Sequence, residues 1–346
     1  MTFFLYLCTN ANPMRLRLSF LLLLLPTVLS AQGIGEWLLH PTFSSATMVT
    51  EGYTFETGKF RTGTLAMLSA GFGSAGDPFR VNVSYDVLSS RFMTCEAIWQ
   101  PSLYIGVHVG MQKMIFFAEN TFSPNSLGMI GYSQAVSGLA GYSSDMTGIN
   151  SRSRDVGISL QGALWPGDGY ALVNYNIGVF NGNGYSFRDN NRAKDLQGRI
   201  FIQPAWCLKF SLGGMYGYYN LPETDTLAAR HRLSCGVWFD NGKWFLRSEN
   251  IYGITSDTRS DGIMALAGWW FRPRLLLAGR VDRFQRDLAD PESAVTRADL
   301  CFSHMLTADG SINYRIQYRH TFYADPALQG SDALTLCLSF SFRRSI

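Results

Sequence analysis

The stretch "SINYRIQYRHTF", residues 311–322, alternates between two kinds of side chain. Its even-numbered positions carry mostly apolar or aromatic residues, namely Ile312, Tyr314, Ile316, Tyr318 and Phe322. Its odd-numbered positions are polar and include Arg315 and Arg319. Because successive residues of a β-strand point to opposite faces, this period of two predicts a strand with one apolar and one polar face.

The same alternation recurs along the chain. It is clear in "ALTLCLSFSF" (333–342) and "RDVGISLQGAL" (154–164), and looser in "RLSCGVWF" and "DLQGRIFI". Charged residues make up only 16% of the 346 residues, below the ~25% of an average soluble domain. The pattern predicts an all-β chain, but it fits a soluble β-sandwich as well as a membrane barrel.

The connections between these runs favour a barrel. From Arg154 onward, short connections at 166–169, 203–205, 240–243, 272–274 and 308–311 alternate with longer ones at roughly 180–193, 220–229, 253–261, 285–296 and 322–331. Outer-membrane barrels have short turns at the periplasmic end and longer loops outside. We therefore predict an antiparallel transmembrane β-barrel of about 16 strands between Thr47 and Phe342.

Tryptophans accompany the short connections. The residues concerned are Trp99, Trp165, Trp206, Trp238, Trp244, Trp269 and Trp270. Tryptophan is enriched where a membrane protein meets the headgroup region of the bilayer. This clustering predicts an aromatic girdle at one membrane surface.

The N-terminus has the pattern of a secretory signal. Arg15 and Arg17 precede an apolar stretch that includes Leu21 to Leu25, and small residues follow at Ser30 and Ala31. The apolar core is about a dozen residues, shorter than the ~20 that a spanning helix needs. The sequence therefore predicts a signal peptide at residues 1–31, with Met14 as an alternative start, and an outer-membrane β-barrel at residues 32–346.

One long segment, Phe116–Ser153, has no sustained alternation although it contains many apolar residues. It falls at the third outer loop if the barrel begins near Thr47. We expect it to fold into the lumen as a constriction, with an ordered outer cap as the alternative.

Several function classes are disfavoured. The formal net charge of +3 gives no strong basic field for nucleic acid. The literal GxGxxG at Gly71, Gly73 and Gly76 is followed by Asp77-Pro78 and a strand-like run, whereas a dinucleotide fingerprint must open a helix. The glycine- and asparagine-rich patch at 181–184 has no GK[ST] after it. No cofactor is expected.

The pattern of histidines and cysteines also argues against an enzyme. The histidines occur singly, without an HExxH or GxSxG context, at positions His40, His108, His231, His304 and His320. The five cysteines that follow the predicted signal include no CxxC pair. We therefore expect no catalytic residue and no metal site. An outer-membrane hydrolase is the weaker alternative, and a non-conducting scaffold, adhesin or secretion component is another.

The polar faces of the predicted strands carry charges of both signs. The candidate pore-lining and anion-binding residues are Arg199, Arg232, Arg247, Arg280, Arg315 and Arg319. The acids on the same faces are Asp155, Asp195, Glu249, Asp282 and Asp299. An arginine facing lipid at mid-membrane would cost roughly 2–4 kcal/mol, which places these side chains in the lumen. Such a mixture fits an anion-preferring channel or a general porin with a balanced transverse field.

A group of motifs resembles the phosphate-selective porin O and P family, especially its Bacteroidetes-type members. The motifs are "VGMQKMIFFAENTFSPNSL", "GYSQAVSGLAGYS", "SRDVGISLQG", "NIGVFNGNGYSFRDNNRAKDLQGRIFIQP" and "VDRF". The likeness runs from about Val81 to Phe342. It implies a 16-stranded, homotrimeric porin in the outer membrane of a Gram-negative, Bacteroidetes-like bacterium. It also implies contact with outer-membrane lipid and passive diffusion of small hydrophilic solutes, with a preference for anions such as phosphate. The ending "SFSFRRSI" departs from the family, whose last strand stops at an aromatic residue.

Overall fold

The computed structural model describes residues 43–345, apart from 57–58, 74–76, 124–125, 186–190 and 222–225. The predicted signal peptide lies outside the described residues. The strands are β1 (Phe43–Glu56), β2 (Lys59–Phe72), β3 (Phe79–Asp86), β4 (Arg91–Trp99), β5 (Gly106–Lys113), β6 (Arg154–Pro166), β7 (Ala171–Phe180), β8 (Asp195–Ala205), β9 (Leu208–Asn220), β10 (Leu227–Asp240), β11 (Trp244–Thr255), β12 (Thr258–Arg272), β13 (Leu275–Gln285), β14 (Ala294–Met305), β15 (Ile312–Tyr323) and β16 (Ser331–Ser345). One α-helix, α1 (Gln134–Leu139), and two 3-10 helices (Glu119–Thr121 and Pro291–Ser293) complete the described elements.

The strands form a closed antiparallel barrel. Each pairs with its neighbours in the chain, and β1 closes the ring against β16 through a register that includes Thr50↔Ser339 and Thr54↔Thr335. The fold class predicted from the alternation, a sixteen-stranded transmembrane β-barrel, is confirmed. Within the described part of the chain, no helix is long and apolar enough to cross a membrane.

The two faces of β15 are assigned as the sequence predicts. The side of Arg315 and Gln317 is buried, with 2% of each residue exposed, whereas Ile316 and Tyr318 are 41% and 47% exposed. The polar face of the strand therefore points into the barrel and the apolar face points outward.

One predicted connection is wrong. We expected a longer loop at 253–261, but β11 continues to Thr255 and β12 begins at Thr258. Thr255 pairs directly with Thr258, and Ser256 has a φ of 53°. The polar composition of this stretch resembles a loop, but most of its residues are paired in β11 and β12. Only two residues form the hairpin turn.

The tryptophans divide between the two sides of the wall. Trp165 and Trp206 are 67% and 65% exposed, as a girdle requires. Trp238 instead packs inside the barrel, with its ring 4.9 Å from that of Phe122. Trp270 also packs against an interior cluster. Adjacent residues of a strand face opposite ways, so Trp269 and Trp270 cannot both belong to an outward girdle.

The hydrophobic core lies inside the barrel, between the long connection after β5 and one part of the wall. In one cluster Phe116, Val136 and Leu139 pack against Ile251 and Phe284. In a second cluster, Leu127 and Met129 pack against inward residues of β11 to β14, namely Phe245, Met264, Leu266, Leu276, Ala278 and Cys301.

Candidate channel constriction

The connection between β5 and β6, residues 114–153, is here called the constriction segment. Its apolar start buries completely, with Phe116, Phe117 and Ala118 0% exposed. The inward faces of several strands bind it, so it runs inside the barrel. This confirms the predicted lumenal loop and excludes the outer cap. Packing against the wall stabilises this apolar run, because it removes the hydrocarbon side chains from water.

Helix α1 is held at its N-terminus by a short network. Ser133 caps the helix by accepting from the backbone N–H of Val136 at 3.4 Å. The Ser133 hydroxyl donates to Glu119 Oε2 at 2.6 Å. Burial raises the pKa of Glu119, while the nearby positive charge of Arg280 opposes that shift. An ionised Glu119 therefore depends on Arg280 and on the donors of Ser133.

Two wall glycines make room for the segment. A Cβ at Gly213 would lie 2.0 Å from the carbonyl oxygen of Phe116. A Cβ at Gly262 would lie 2.5 Å from the Cβ of Ala135 in α1. Both distances are shorter than van der Waals contact allows, so any larger residue would push the segment off the wall.

Five of the six predicted arginines bind the backbone of this segment. Each donates to a peptide carbonyl: Arg199 to Phe117, Arg232 to Leu139 at 3.0 Å, Arg247 to Leu127 at 3.0 Å, Arg280 to Gly131 at 2.9 Å and Arg315 to Met129 at 3.2 Å. Non-helical backbone removed from water must find partners for its peptide groups. The guanidinium groups supply them.

Other side chains of the wall accept hydrogen bonds from backbone N–H groups of the segment. Glu249 accepts from the backbone of Ala118 at 2.6 Å and of Glu119 at 2.8 Å. Gln197 and Gln317 accept from the backbone N–H groups of the segment at Ile115 (3.1 Å) and Ile130 (2.7 Å). The wall thus binds the segment as donor and as acceptor, which fixes its position along the interior.

Some of the inward arginines also pair with carboxylates. Arg280 Nη2 lies 2.7 Å from Asp299 Oδ2, and its Nε lies 3.3 Å from Asp282 Oδ2. Arg319 Nε lies 2.6 Å from Asp299 Oδ1. Asp195 pairs with Arg230, which sequence reasoning did not select. Part of the mixed charge on the polar faces is therefore paired within the wall.

The six predicted arginines differ in burial and in whether they line an open cavity. Arg232, Arg247, Arg280 and Arg315 are buried beneath the constriction segment. Arg319 stays partly exposed beside Asp299, with 26% of its side chain accessible. Arg199 is the member of the set that lines the open cavities described next. That these arginines bind anions stays a prediction.

Two adjoining cavities lie inside the barrel, and the narrower one includes residues of the constriction segment in its lining. The wider one, about 580 Å³, includes Gln100, Tyr175 and Lys209 in its lining. The narrower one, about 250 Å³, has a lining of Thr94, Glu96, His108, Gln112, Lys113, Met114, Ile115, Asn120, Thr121, Gln161, Asn176 and Arg199. The two share Gln161, Asn176 and Arg199, so they border one another.

Sequence reasoning missed three charged or titratable residues of the narrow cavity. Glu96 and His108 lie on β4 and β5, which are short strands, and a bulge in the pairing of β3 with β4 at Ser84 and Tyr85 further weakens the alternation. Lys113 ends β5, and its Nζ donates to the carbonyl oxygens of Asn120 (2.8 Å) and Phe122 (3.3 Å). Its place in the G-x-x-K motif was the available signal. Among the described residues, no cluster of His, Cys, Asp or Glu could hold a metal ion.

Comparisons with known proteins bear on the fold. No family model matches the sequence, and no curated protein matches it. An anion-selective porin from Comamonas acidovorans is 12% identical with a TM-score of 0.64, over 88% of this chain and 99% of that one. OmpF of Salmonella typhi in complex with daunomycin is 9% identical with a TM-score of 0.61, over 87% and 97%. The outer membrane channel DcaP of Acinetobacter baumannii is 12% identical with a TM-score of 0.59, also over 87% and 97%. The chain has the fold of the outer-membrane porins.

Proposed function

We propose that this protein is an outer-membrane porin for the passive diffusion of small hydrophilic solutes. One observation carries the proposal: the constriction segment is fixed along β8 to β15, and the polar cavity between it and another part of the wall adjoins a wider cavity. A barrel of this width encloses water rather than a fully packed centre. An interior loop bound along one side narrows such a lumen without filling it.

The proposal extends to location, assembly and family. The outward faces are apolar, as contact with outer-membrane lipid requires. We further propose that residues 1–31 are removed as a signal peptide and that the porin is a homotrimer. The quoted motifs support a relation to the phosphate-selective O and P porins of Bacteroidetes-type bacteria.

An anion preference is part of the proposal. Of the charged residues that line the two cavities, Lys113, Arg199 and Lys209 are cationic and Glu96 is anionic. Fixed charge beside the narrow part of a channel selects ions of the opposite sign. The excess of cations at the open cavities therefore favours small anions, phosphate among them.

Planar-bilayer recording tests this function. The purified protein should give discrete conductance steps, and its reversal potential in a salt gradient should have the sign of an anion-preferring channel. Lys209→Glu should shift that potential toward cation preference, whereas Arg286→Glu, the same change on an exposed residue outside both cavities, should leave it unchanged. Assembled protein without conductance would contradict the channel and favour a scaffold.

A further inference from the structure

The narrow cavity contains polar atoms that the protein itself does not satisfy. Among its described lining residues, four atoms are buried without a hydrogen-bond partner: His108 Nε2, Asn120 Oδ1, Asn176 Oδ1 and Arg199 Nε. His108 is only 8% exposed. A buried polar atom is costly unless something bonds to it, and four such atoms around one cavity are unusual. They point to a solute that supplies the missing bonds.

The four atoms comprise acceptors and a cationic donor. His108 Nδ1 lies 3.4 Å from Glu96 Oε2. In the tautomer whose ring N–H is directed at that carboxylate, Nε2 is an acceptor. Asn176 Oδ1 and Asn120 Oδ1 are further acceptors, and Arg199 Nε is a cationic donor. A small molecule that carries both a hydrogen-bond donor and an anionic group would therefore complement the cavity.

The charges set the ionic state of that molecule. Lys113 and Arg199 contribute two positive charges to the lining and Glu96 contributes one negative charge. Arg199 is held in place, since its guanidinium donates to the carbonyl of Phe117 and lies 4.5 Å from the ring centre of Phe201. Together Lys113, Arg199 and Glu96 leave one net positive charge, which suits a monoanion better than a zwitterion or a dianion.

We propose that the narrow cavity is a binding site for small hydroxycarboxylates. The carboxylate of the solute bonds to Arg199 and Lys113, and its hydroxyl donates to His108 Nε2 or Asn176 Oδ1. This inference rests on the proposed channel function and adds a solute class to it. A simple carboxylate without the hydroxyl leaves the two acceptors unpaired, which is how a polar site rejects a close analogue.

Solute-induced current interruption tests the site. Wild-type channels are recorded in potassium chloride while L-lactate, propionate or L-alanine is added. We expect L-lactate to interrupt the current at about a five-fold lower concentration than propionate, the ratio expected for one hydrogen bond to a buried acceptor. L-Alanine, a zwitterion of similar size, should be weaker than L-lactate. Equal interruption by lactate and propionate, or none by either, would overturn the inference.

Three variants separate the site from its surroundings. His108→Phe and Asn176→Ala each remove one acceptor and should reduce the lactate-to-propionate ratio toward one. Lys209→Ala removes a cation that lines only the wider cavity, and it should keep the ratio. Heat-modifiable gel migration shows that each variant is assembled.

The outcomes distinguish a failure of the proposed channel function from a failure of the proposed binding site. Wild-type protein that assembles but does not conduct contradicts the proposed function. Wild-type protein that conducts but does not discriminate lactate from propionate contradicts the binding site alone. A lactate preference that survives both His108→Phe and Asn176→Ala would also overturn the site, because the preference would then arise elsewhere in the pore.

Discussion

At the scale of single residues, Arg315 illustrates the difference between facing a lumen and facing water. Its strand position alone places it inside the barrel, where an arginine would attract anions. In the structure its Nη1 donates to the carbonyl oxygen of Met129 at 3.2 Å, and its Nη2 lies 3.2 Å from Ser339 Oγ. The charge is thus used to hold a peptide group that would otherwise be buried without a partner.

Replacing this arginine should loosen the constriction segment. We expect Arg315→Ala to lower the free energy of unfolding by about 2 kcal/mol, because a buried carbonyl loses a charged donor. The single-channel current should also become noisier. Arg274→Ala, on an exposed turn residue, is the matched control and should change neither quantity. Denaturant titration in detergent and bilayer recording measure the two effects, and an unchanged unfolding midpoint in Arg315→Ala would refute the assigned role.

At the scale of elements, the close approach of α1 to β12 predicts a sensitive glycine. Gly262→Ala places a methyl group where Ala135 already lies, so the helix must shift. Overpacking of this kind typically costs about 1–3 kcal/mol. Gly63→Ala is a suitable control, because a Cβ there meets no atom within 4 Å. Denaturant unfolding compares the two, and equal midpoints would show that α1 is not seated against β12.

Removing part of the constriction segment should change both the size and the charge of the lumen. Deletion of residues 126–148 removes the carbonyl partners of Arg232, Arg247, Arg280 and Arg315. We expect a larger conductance, because the lumen widens, and a stronger anion preference, because these arginines become exposed to water. Conductance steps and reversal potentials test both effects. An assembled deletion variant with unchanged conductance would contradict the constriction.

The sequence predicted the existence of the constriction segment better than its contacts. The missing alternation and high apolar content of Phe116–Ser153 predicted that this connection, counted as the third outer loop, folds into the lumen. The partners could not be predicted, since Gln317 binds a residue 187 positions earlier in the chain and Gln197 binds one 82 positions earlier. Such pairings depend on barrel closure, which no local pattern encodes. His108 and Glu96 were missed for a related reason, because short strands and a bulge carry little periodic signal.

At the scale of the whole molecule, strand alternation was sufficient to predict the barrel because the period of two is a local property. Composition was a poorer guide to connections. The polar stretch around Ser256 resembled a loop but forms a hairpin, since strands on a barrel rim can remain paired while polar. Trp238 and Trp270 were assigned to a girdle because they lie close to a turn. Whether a strand residue points inward or outward depends instead on its odd or even position along the strand.

The selectivity of the assembled channel should depend on ionic strength. The cations beside the two cavities act through water, and the Debye length falls from about 10 Å at 0.1 M salt to about 3 Å at 1 M. We expect the anion-to-cation permeability ratio to decline toward one over this range. Reversal potentials at a constant concentration ratio measure it. A ratio that stays constant would indicate desolvated binding rather than screened attraction.

The bonds of the constriction segment also have a consequence for the order in which the barrel can form. They join the continuation of β5 to strands as late as β15, across as many as 187 residues, so the set cannot be complete while the C-terminal third of the chain is absent. Contacts of such high sequence separation are slow to form, because the loop-closure entropy must be lost first. Once formed, they fix the spacing between β8, β10, β11, β13 and β15 from within. The curvature of that half of the wall is therefore supported by an internal template as well as by the seam at which β1 meets β16.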